Sequence, residues 1–535
     1  MKKYLFLLIN YTAVLVFCTA CANIVMPTGG QKDVTPPKVK KSVPENYQVN
    51  TKPKKITIEF DEFINLTNVE GQLIVTPSLD QNPDVKLKNR KIEIIFKSDL
   101  KENTTYTVNF GNSISDFTEN NIAKDYRFVF STGSYIDSLQ VNGSIADSKT
   151  GKELKDILLL LYEPGNDSIE FKGKPLYYGR TGETGVVKIT NIKHGTYKVI
   201  ALEDKNNSRN YDSKDEQIGF IPTEIHLDSN MNIGKIYLFK EVPDLLRILD
   251  KKYTDHKALL VFNKPATDVK YKVIFPENFN DSVISEINKT LDTAFFYLPE
   301  NTDSIKIEVR SDVKSDTVLI RRDKTKKAQL NSTFNLSSNL RNGGIKPGEQ
   351  LSISTEFPIK KISYSDSIIF MEDSVKLNTD SILSHSMNAN YITLNYTLQP
   401  EKKYELYIPE NTIREITDRK HNPLKLRFSE SNIENFGSVD MKLEGQKDQQ
   451  YIMQLTGPGE QLISEEIFIS SLKNKYTLLN PGLYKIKIIK DSNKNGKWDT
   501  GNYQKKLQAE MIYYYPSEIN MRANWDMELE YKFDQ

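Results

Sequence analysis

The stretch best suited to chemistry runs Asp491-Ser492-Asn493-Lys494-Asn495-Gly496-Lys497-Trp498-Asp499. Asp491, Asn493, Asn495 and Asp499 put side-chain oxygens at the first, third, fifth and ninth positions of a loop, with Gly496 at the sixth. This is calcium-loop spacing: glycine permits the sharp turn that points alternate oxygens inward, and Lys497 would add its main-chain carbonyl. Position twelve is Asn502, where a bidentate Glu belongs. The expected affinity is therefore weak, roughly 10⁻⁴ to 10⁻³ M. An earlier stretch carries Asp204, Asn206, Ser208, Asn210 and Asp212, with Asp215 and Glu216 close behind and Arg209 where glycine is expected. The same spacing serves a metal-free hairpin connection, because Asn and Asp bond their own backbone in Asx-turns. Structural calcium and plain turns both stay open. Trp498 and Tyr211 share one place in the two stretches and read as packing residues under the loop, with ligand stacking as the alternative.

Other chemistry is sparse. His194, His226, His256, His385 and His421 are scattered without metal-ligand spacing. The sequence has neither a nucleophile elbow nor a glycine-rich phosphate loop. Glu59, Asp61 and Glu62 lie at a strand end and read as a solvated edge rather than an acid/base pair. The two cysteines, Cys18 and Cys21, stand near the N-terminus. Everything after them lacks a disulfide framework, a thiol nucleophile and a cysteine metal site. With 72 basic against 71 acidic residues, no basic stripe is left to bind phosphate, so nucleic acid is not expected as a partner. The expectation is a protein that is not an enzyme and has no cofactor beyond weak, structural Ca²⁺.

At 535 residues the chain is too long for one core. Short runs with period-two alternation dominate, such as Ile56-Thr57-Ile58-Glu59-Phe60, Lys91-Ile92-Glu93-Ile94-Ile95-Phe96 and Tyr106-Thr107-Val108-Asn109-Phe110. Asn, Asp, Gly and Pro separate them at β-sandwich spacing, and sustained helical periodicity is scarce. The reading is all-β, built from tandem sandwiches. Two internal repeats sharpen it. Leu100-Lys101-Glu102-Asn103-Thr104-Thr105-Tyr106 recurs as Leu398-Gln399-Pro400-Glu401-Lys402-Lys403-Tyr404, each copy leading to a last strand that ends Phe130-Ser131 or Phe428-Ser429. Gly195-Thr196-Tyr197-Lys198-Val199 recurs as Gly482-Leu483-Tyr484-Lys485-Ile486, and the offset holds through the Asp/Asn-rich loop that follows.

The N-terminus begins with Lys2 and Lys3, continues apolar from Tyr4 to Phe17 apart from Asn10 and Thr12, and reaches Cys21 through small residues. Such a core is short for a bilayer span and reads as an export signal. No later run of eighteen apolar residues follows. Residues rich in Gly and Pro after Cys21 read as a tether.

Pro36-Pro37-Lys38-Val39, Glu59-Phe60-Asp61-Glu62, Asn103-Thr104-Thr105-Tyr106 and the closing Thr132-Gly133 resemble an SbsA-type bacterial Ig-like domain. Val141-Asn142-Gly143-Ser144-Ile145 through Tyr197-Lys198-Val199 is similar to a prealbumin-like sandwich of the carboxypeptidase-regulatory or Cna-B type. The leader resembles a bacterial lipoprotein signal, with Cys18 where Leu is usual at position −3, and it implies that Cys21 is the acylated residue. With Pro27-Thr28-Gly29-Gly30 after the cysteine, the order resembles Ig-like-domain lipoproteins of Bacteroidetes envelopes. Asp137-Ser138-Leu139, Asp292-Thr293-Ala294, Asp316-Thr317-Val318 and Asp373-Ser374-Val375 look like the O-glycosylation sequon of such proteins; turns leading into strands explain them equally well.

The expected division is a signal over 1–20, a flexible tether over 21–36 and an Ig-like domain over 37–133. A prealbumin-like sandwich over 138–241, a β-rich domain of uncertain type over 242–345, an Ig-like repeat over 346–431 and a second prealbumin-like sandwich over 436–535 complete it. The function expected is a lipid-anchored, non-catalytic envelope protein of the outer membrane, on its periplasmic face or at the cell surface. It would meet the membrane through its lipid and other envelope proteins through its domains. A glycan-binding or adhesin-type module, displaying aromatics such as Trp498, Trp525 or Tyr513 to Tyr515, is the alternative. An enzyme would need a pocket within 242–345.

Overall fold

The computed structural model describes residues 33–164, 173–279, 282–311, 315–323, 332–363, 368–379, 382–384 and 389–534. The signal, Cys21, most of the tether and His385 lie outside the described residues. Among the described residues 45 strands stand against helical turns of at most four residues, so the class is all-β, as the alternation predicts. The chain divides into two compact units. The first holds the residues up to Ile145, Leu154–Asn210 and Ile221–Lys235; the second holds Ala146–Glu153, Tyr211–Phe220 and everything from Ile236 onward.

In the first unit, the strands Val39–Val43, Lys55–Phe60, Lys91–Ile95 and Asp84–Lys88 form one antiparallel sheet in that order. Ile74–Thr76, Thr105–Asn109 and Arg127–Ser131 form the opposing one. Alternation decides the faces: Ile56, Ile58, Phe60, Ile92 and Ile94 point inward to meet Tyr106, Val108, Phe128 and Phe130. Glu59 faces outward and pairs with Lys91, its cross-strand partner, at 3.2 Å, while Asp61 accepts the Lys38 N–H at 2.9 Å. These carboxylates serve the sheet edge. Further along, Leu158–Tyr162 is buried at every position between Tyr177–Arg180 and Gly195–Leu202.

In the second unit, Ile248–Thr254, Lys257–Phe262, Thr293–Tyr297 and Ile284–Ile287 make a four-stranded sheet, packed on Lys270–Phe275, Ser304–Arg310 and Ser315–Arg321. The segment of uncertain type is therefore also a sandwich. A following core, built on residues 351–428, takes in Phe334, Leu336 and Ile345 as well. The last sandwich sets Ser471–Leu479, Gly437–Glu444 and Asp526–Lys532 against Leu462–Ile469, Gln450–Thr456, Gly482–Asp491 and Ile512–Tyr514.

The first repeat has a structural cause. Tyr106 and Tyr404 are 1% and 2% exposed, and their hydroxyls accept the N–H of Lys101 at 2.8 Å and of Gln399 at 2.7 Å, five residues upstream. Each ring stacks on its cross-strand partner, Tyr106 on Phe130 at 5.4 Å and Tyr404 on Phe428 at 5.5 Å. Tyr451 repeats the arrangement with Gln446 N–H at 2.9 Å and Phe468 at 5.5 Å. In the second repeat, Tyr197 and Tyr484 instead donate to carbonyls four residues upstream, Lys193 at 2.6 Å and Asn480 at 2.8 Å. Each hydroxyl closes the loop before its strand, in the manner of a tyrosine corner. Tyr404→Phe leaves the Gln399 N–H without its acceptor and is expected to cost about 1–3 kcal/mol. Denaturant melts should show a lower midpoint for Tyr404→Phe, while Tyr407→Phe, a half-exposed tyrosine on the same strand, should leave it unchanged.

Candidate functional site

The Asp/Asn-rich loop is positioned by the end of the strand Gly482–Asp491. Pairing with Gln450–Thr456 places Asp491 opposite Gln450, whose Nε2 donates to Asp491 Oδ2 at 2.7 Å. The Asp491 carboxylate is fully buried. Its Oδ1 accepts the N–H of Asn495 at 3.1 Å and its Oδ2 that of Gly496 at 2.8 Å. Asn493 Oδ1 also accepts from Asn495 N, at 3.1 Å, and Asn495 Oδ1 accepts from Lys497 N at 3.0 Å. Gly496 sits at φ +77°, in the left-handed region that glycine enters without strain. The amide nitrogens of Asn493 and Asn495 both donate to Asp499 Oδ2, the first at 2.6 Å. Four of the predicted residues are thus brought together on one loop, and Lys497 joins through its N–H.

Sequence reasoning missed Glu510. Its two carboxylate oxygens accept the N–H of Ser492 at 2.7 Å and of Asp499 at 3.0 Å, and its own N–H donates to Asp499 O at 3.0 Å. It therefore clamps the base of the loop from across the hairpin. Trp498 lies beneath, donating its indole N–H to Glu510 O at 3.0 Å, with Lys149 Nζ over the ring at 4.9 Å. This supports a packing role for Trp498. Burial raises the Glu510 carboxyl above the ordinary range; the two N–H donors oppose the shift, and the charges of Asp491 and Asp499 add to it.

The earlier loop uses the same device in the first unit. Asp204 Oδ1 and Oδ2 accept the N–H groups of Ser208 and Arg209, both at 3.0 Å, and Asn206 Oδ1 accepts from Ser208 N at 2.9 Å. Arg209 holds the place of Gly496 and keeps a positive φ of 59°, a strain of order 1 kcal/mol or more for a side-chain-bearing residue. Its guanidinium lies over the Tyr178 ring at 4.6 Å, which offsets part of that cost. Ser208 Oγ donates to Asn210 O at 3.0 Å. Asp212 and Asp215 fall in the second unit, where Asp215 pairs with Lys240 at 3.1 Å. Among the described residues no group of three or more His, Cys, Asp or Glu side chains is arranged to hold a metal ion.

The described histidines have structural partners. His421 is buried, accepting the Ile413 N–H at Nε2 (3.1 Å) and bonding Asn422 O through Nδ1 (2.8 Å). Burial lowers its pKa, keeping the ring neutral. His256 bonds Leu298 O at 2.9 Å, and His194 meets His226 edge-on at 5.2 Å. The candidate aromatic platform is dispersed: Tyr513 donates to Asp534 at 2.6 Å, Tyr514 to Lys149 O, and Tyr515 meets Tyr531 edge-on. Arg522 covers the exposed Trp525 at 4.8 Å.

Residues 33–132 match the family model described as a bacterial Ig-like domain. That agrees with the resemblance read from Pro36-Pro37, Glu59-Phe60 and Asn103-Thr104-Thr105-Tyr106. No curated protein sequence matches the chain. Among solved structures, the chain is similar to the major pilin subunit BcpA of Bacillus cereus, at 8% identity over 74% of this chain and 99% of that one, with TM-score 0.14. It is also similar to the N-terminal part of the bacterial S-layer protein SbsC, at 9% identity over 54% and 44% of the two chains, with TM-score 0.15. An L,D-transpeptidase from Mycobacterium smegmatis matches at 12% identity over 38% and 90%, with TM-score 0.13. At such scores these likenesses carry no argument about function.

The clamp yields a stability prediction. Glu510→Gln retains one acceptor oxygen where two N–H groups need one each, so a loss of about 1–3 kcal/mol is expected. Because the folded-state pKa of Glu510 is raised, the wild-type carboxyl weakens the fold as pH rises through the window between its unfolded and folded pKa values. The deficit of Glu510→Gln relative to wild type should therefore be larger below that window than above it. Melting curves of both proteins across the acid range would check this.

Proposed function

We propose that this chain is a lipid-anchored, non-catalytic cell-envelope protein whose tandem sandwiches act as structural or protein-interaction modules. The observation that carries the reading is a bacterial Ig-like domain over 33–132 placed just after an export-type leader and Cys21. Stable membrane attachment needs two or more acyl chains, which diacylation of Cys21 with an amide-linked third would supply. Among the described residues no helix is long and apolar enough to cross a membrane. The outer membrane, on its periplasmic face or at the cell surface, is the proposed location, and other envelope proteins are the proposed partners. The engaged histidines and the edge carboxylates of Glu59 and Asp61 support a non-catalytic reading. Calcium enters the proposal only as a weak stabiliser of the Asp491, Asn493, Asn495, Lys497, Asp499 loop, where it would replace the amide contacts on Asp499; the Asp204 loop is its counterpart.

Fatty-acid labelling of cells making the full chain or Cys21→Ala tests the anchor. The expected outcome is a labelled, membrane-bound wild type and an unlabelled, soluble variant; a variant that keeps its label would sink the lipid reading. For the metal, calcium at about ten times its Kd adds about 1.4 kcal/mol. The full chain is expected to melt higher in millimolar calcium than in chelator, and the difference should shrink in Asp491→Ala or in Asp204→Ala and vanish when both are changed. Identical melts of the wild type in both would remove calcium from the proposal.

A further inference from the structure

Within the second unit, the last two sandwiches border a cleft of about 1070 Å³, just above the usual range for small-molecule sites, about 300–1,000 Å³. Four separate loops line it. Arg341 and Asn342 precede the short strand Gly344–Ile345, Asn435 ends the helical turn Ile433–Asn435, Gln461 precedes Leu462–Ile469, and Asn480 follows Ser471–Leu479. Each of these five side chains faces solvent at least in part and makes no hydrogen bond or ion pair among the described residues. Other polar side chains on the same rim are engaged by backbone: Asn432 Oδ1 accepts the nearby Glu434 N–H at 3.0 Å, and Asn339 Oδ1 accepts the Ser352 N–H at 2.9 Å from the neighbouring strand. Arg341, Asn342, Asn435, Gln461 and Asn480 instead leave their polar groups to solvent, and they converge on one concavity.

Their chemistry selects a ligand class. A side-chain amide offers an acceptor and two donors side by side, and a guanidinium offers a fork of five donors. Groups that donate and accept from one atom, the hydroxyls of a sugar, match that set. An extended peptide would require a free strand edge. The edge beside Gly344–Ile345 is taken up, since Ser429 N and Ser431 N donate to Gly343 O at 3.2 Å and Ile345 O at 2.8 Å. Leu462–Ile469 and Ser471–Leu479 do end their sheets, but the five unengaged groups are side chains on loops rather than backbone along those edges. Charge on the lining is balanced, Arg341 and Lys346 against Glu349 and Glu430, which disfavours a polyanion. Ile463 and Pro347 supply an apolar surface for the C–H face of a ring.

We propose that this cleft is a binding site for a neutral oligosaccharide, held by Arg341, Asn342, Asn435, Gln461 and Asn480. The site lies apart from the Asp491 loop and from the aromatics named in the sequence, and it goes beyond the anchoring reading without depending on it. Calorimetric titration of the purified full chain with chitohexaose, cellohexaose and maltohexaose tests it, and the anchor experiment stands whatever the titration shows. Saturable binding of at least one probe is expected, weakened at least about tenfold in Arg341→Ala/Asn435→Ala with an unchanged melting curve. Asn480→Ala replaces the double variant if its melt shifts. No saturable binding of any probe up to about 10 mM, or undiminished binding in the cleft variants, would overturn the proposal.

Discussion

The fold depends on buried tyrosine hydroxyls that close the loops before their strands. With both cysteines at the N-terminal end, no disulfide staples these sandwiches, so loop closure rests on hydrogen bonds and packing. A loop N–H buried beside a core must find an acceptor. Tyr106, Tyr404 and Tyr451 meet both demands with one side chain, the ring stacked on a cross-strand Phe and the hydroxyl taking the upstream N–H. The same economy explains why the repeat in sequence covers a turn and a strand together.

A second device works at the other ends of strands. Asp204 and Asp491 each fold the following loop around a carboxylate that takes the N–H groups four and five residues on. Glycine suits the left-handed position this demands, yet Arg209 adopts it too, with its guanidinium over Tyr178. Glu510 then adds to the second loop a clamp whose burial raises its pKa. These loops are closed by hydrogen bonds of their own. The surface proposed for recognition lies elsewhere, in the cleft where loops of the last two sandwiches leave polar side chains unengaged. Since an Ig-like fold hosts many functions, that surface carries the functional question.

Much of this was legible in the residues. Alternation in Ile56-Thr57-Ile58-Glu59-Phe60 gives the buried face correctly, the two repeats mark equivalent strands, and Asp491, Asn493, Asn495 and Asp499 do share one loop. Such features are local: period-two patterning and Asx-turn spacing are written within a few residues and need no distant partner. What the tertiary structure alone decided are meetings between segments far apart in the chain. Glu510 carries no motif and reaches the loop only because the hairpin folds back. The segment after residue 242 has weak resemblance yet closes as a sandwich, because burial needs only an inward apolar face on each strand. Arg341, Asn435 and Asn480 come to one cleft through packing across well over a hundred residues, and no local pattern encodes a convergence set by how two sandwiches stack.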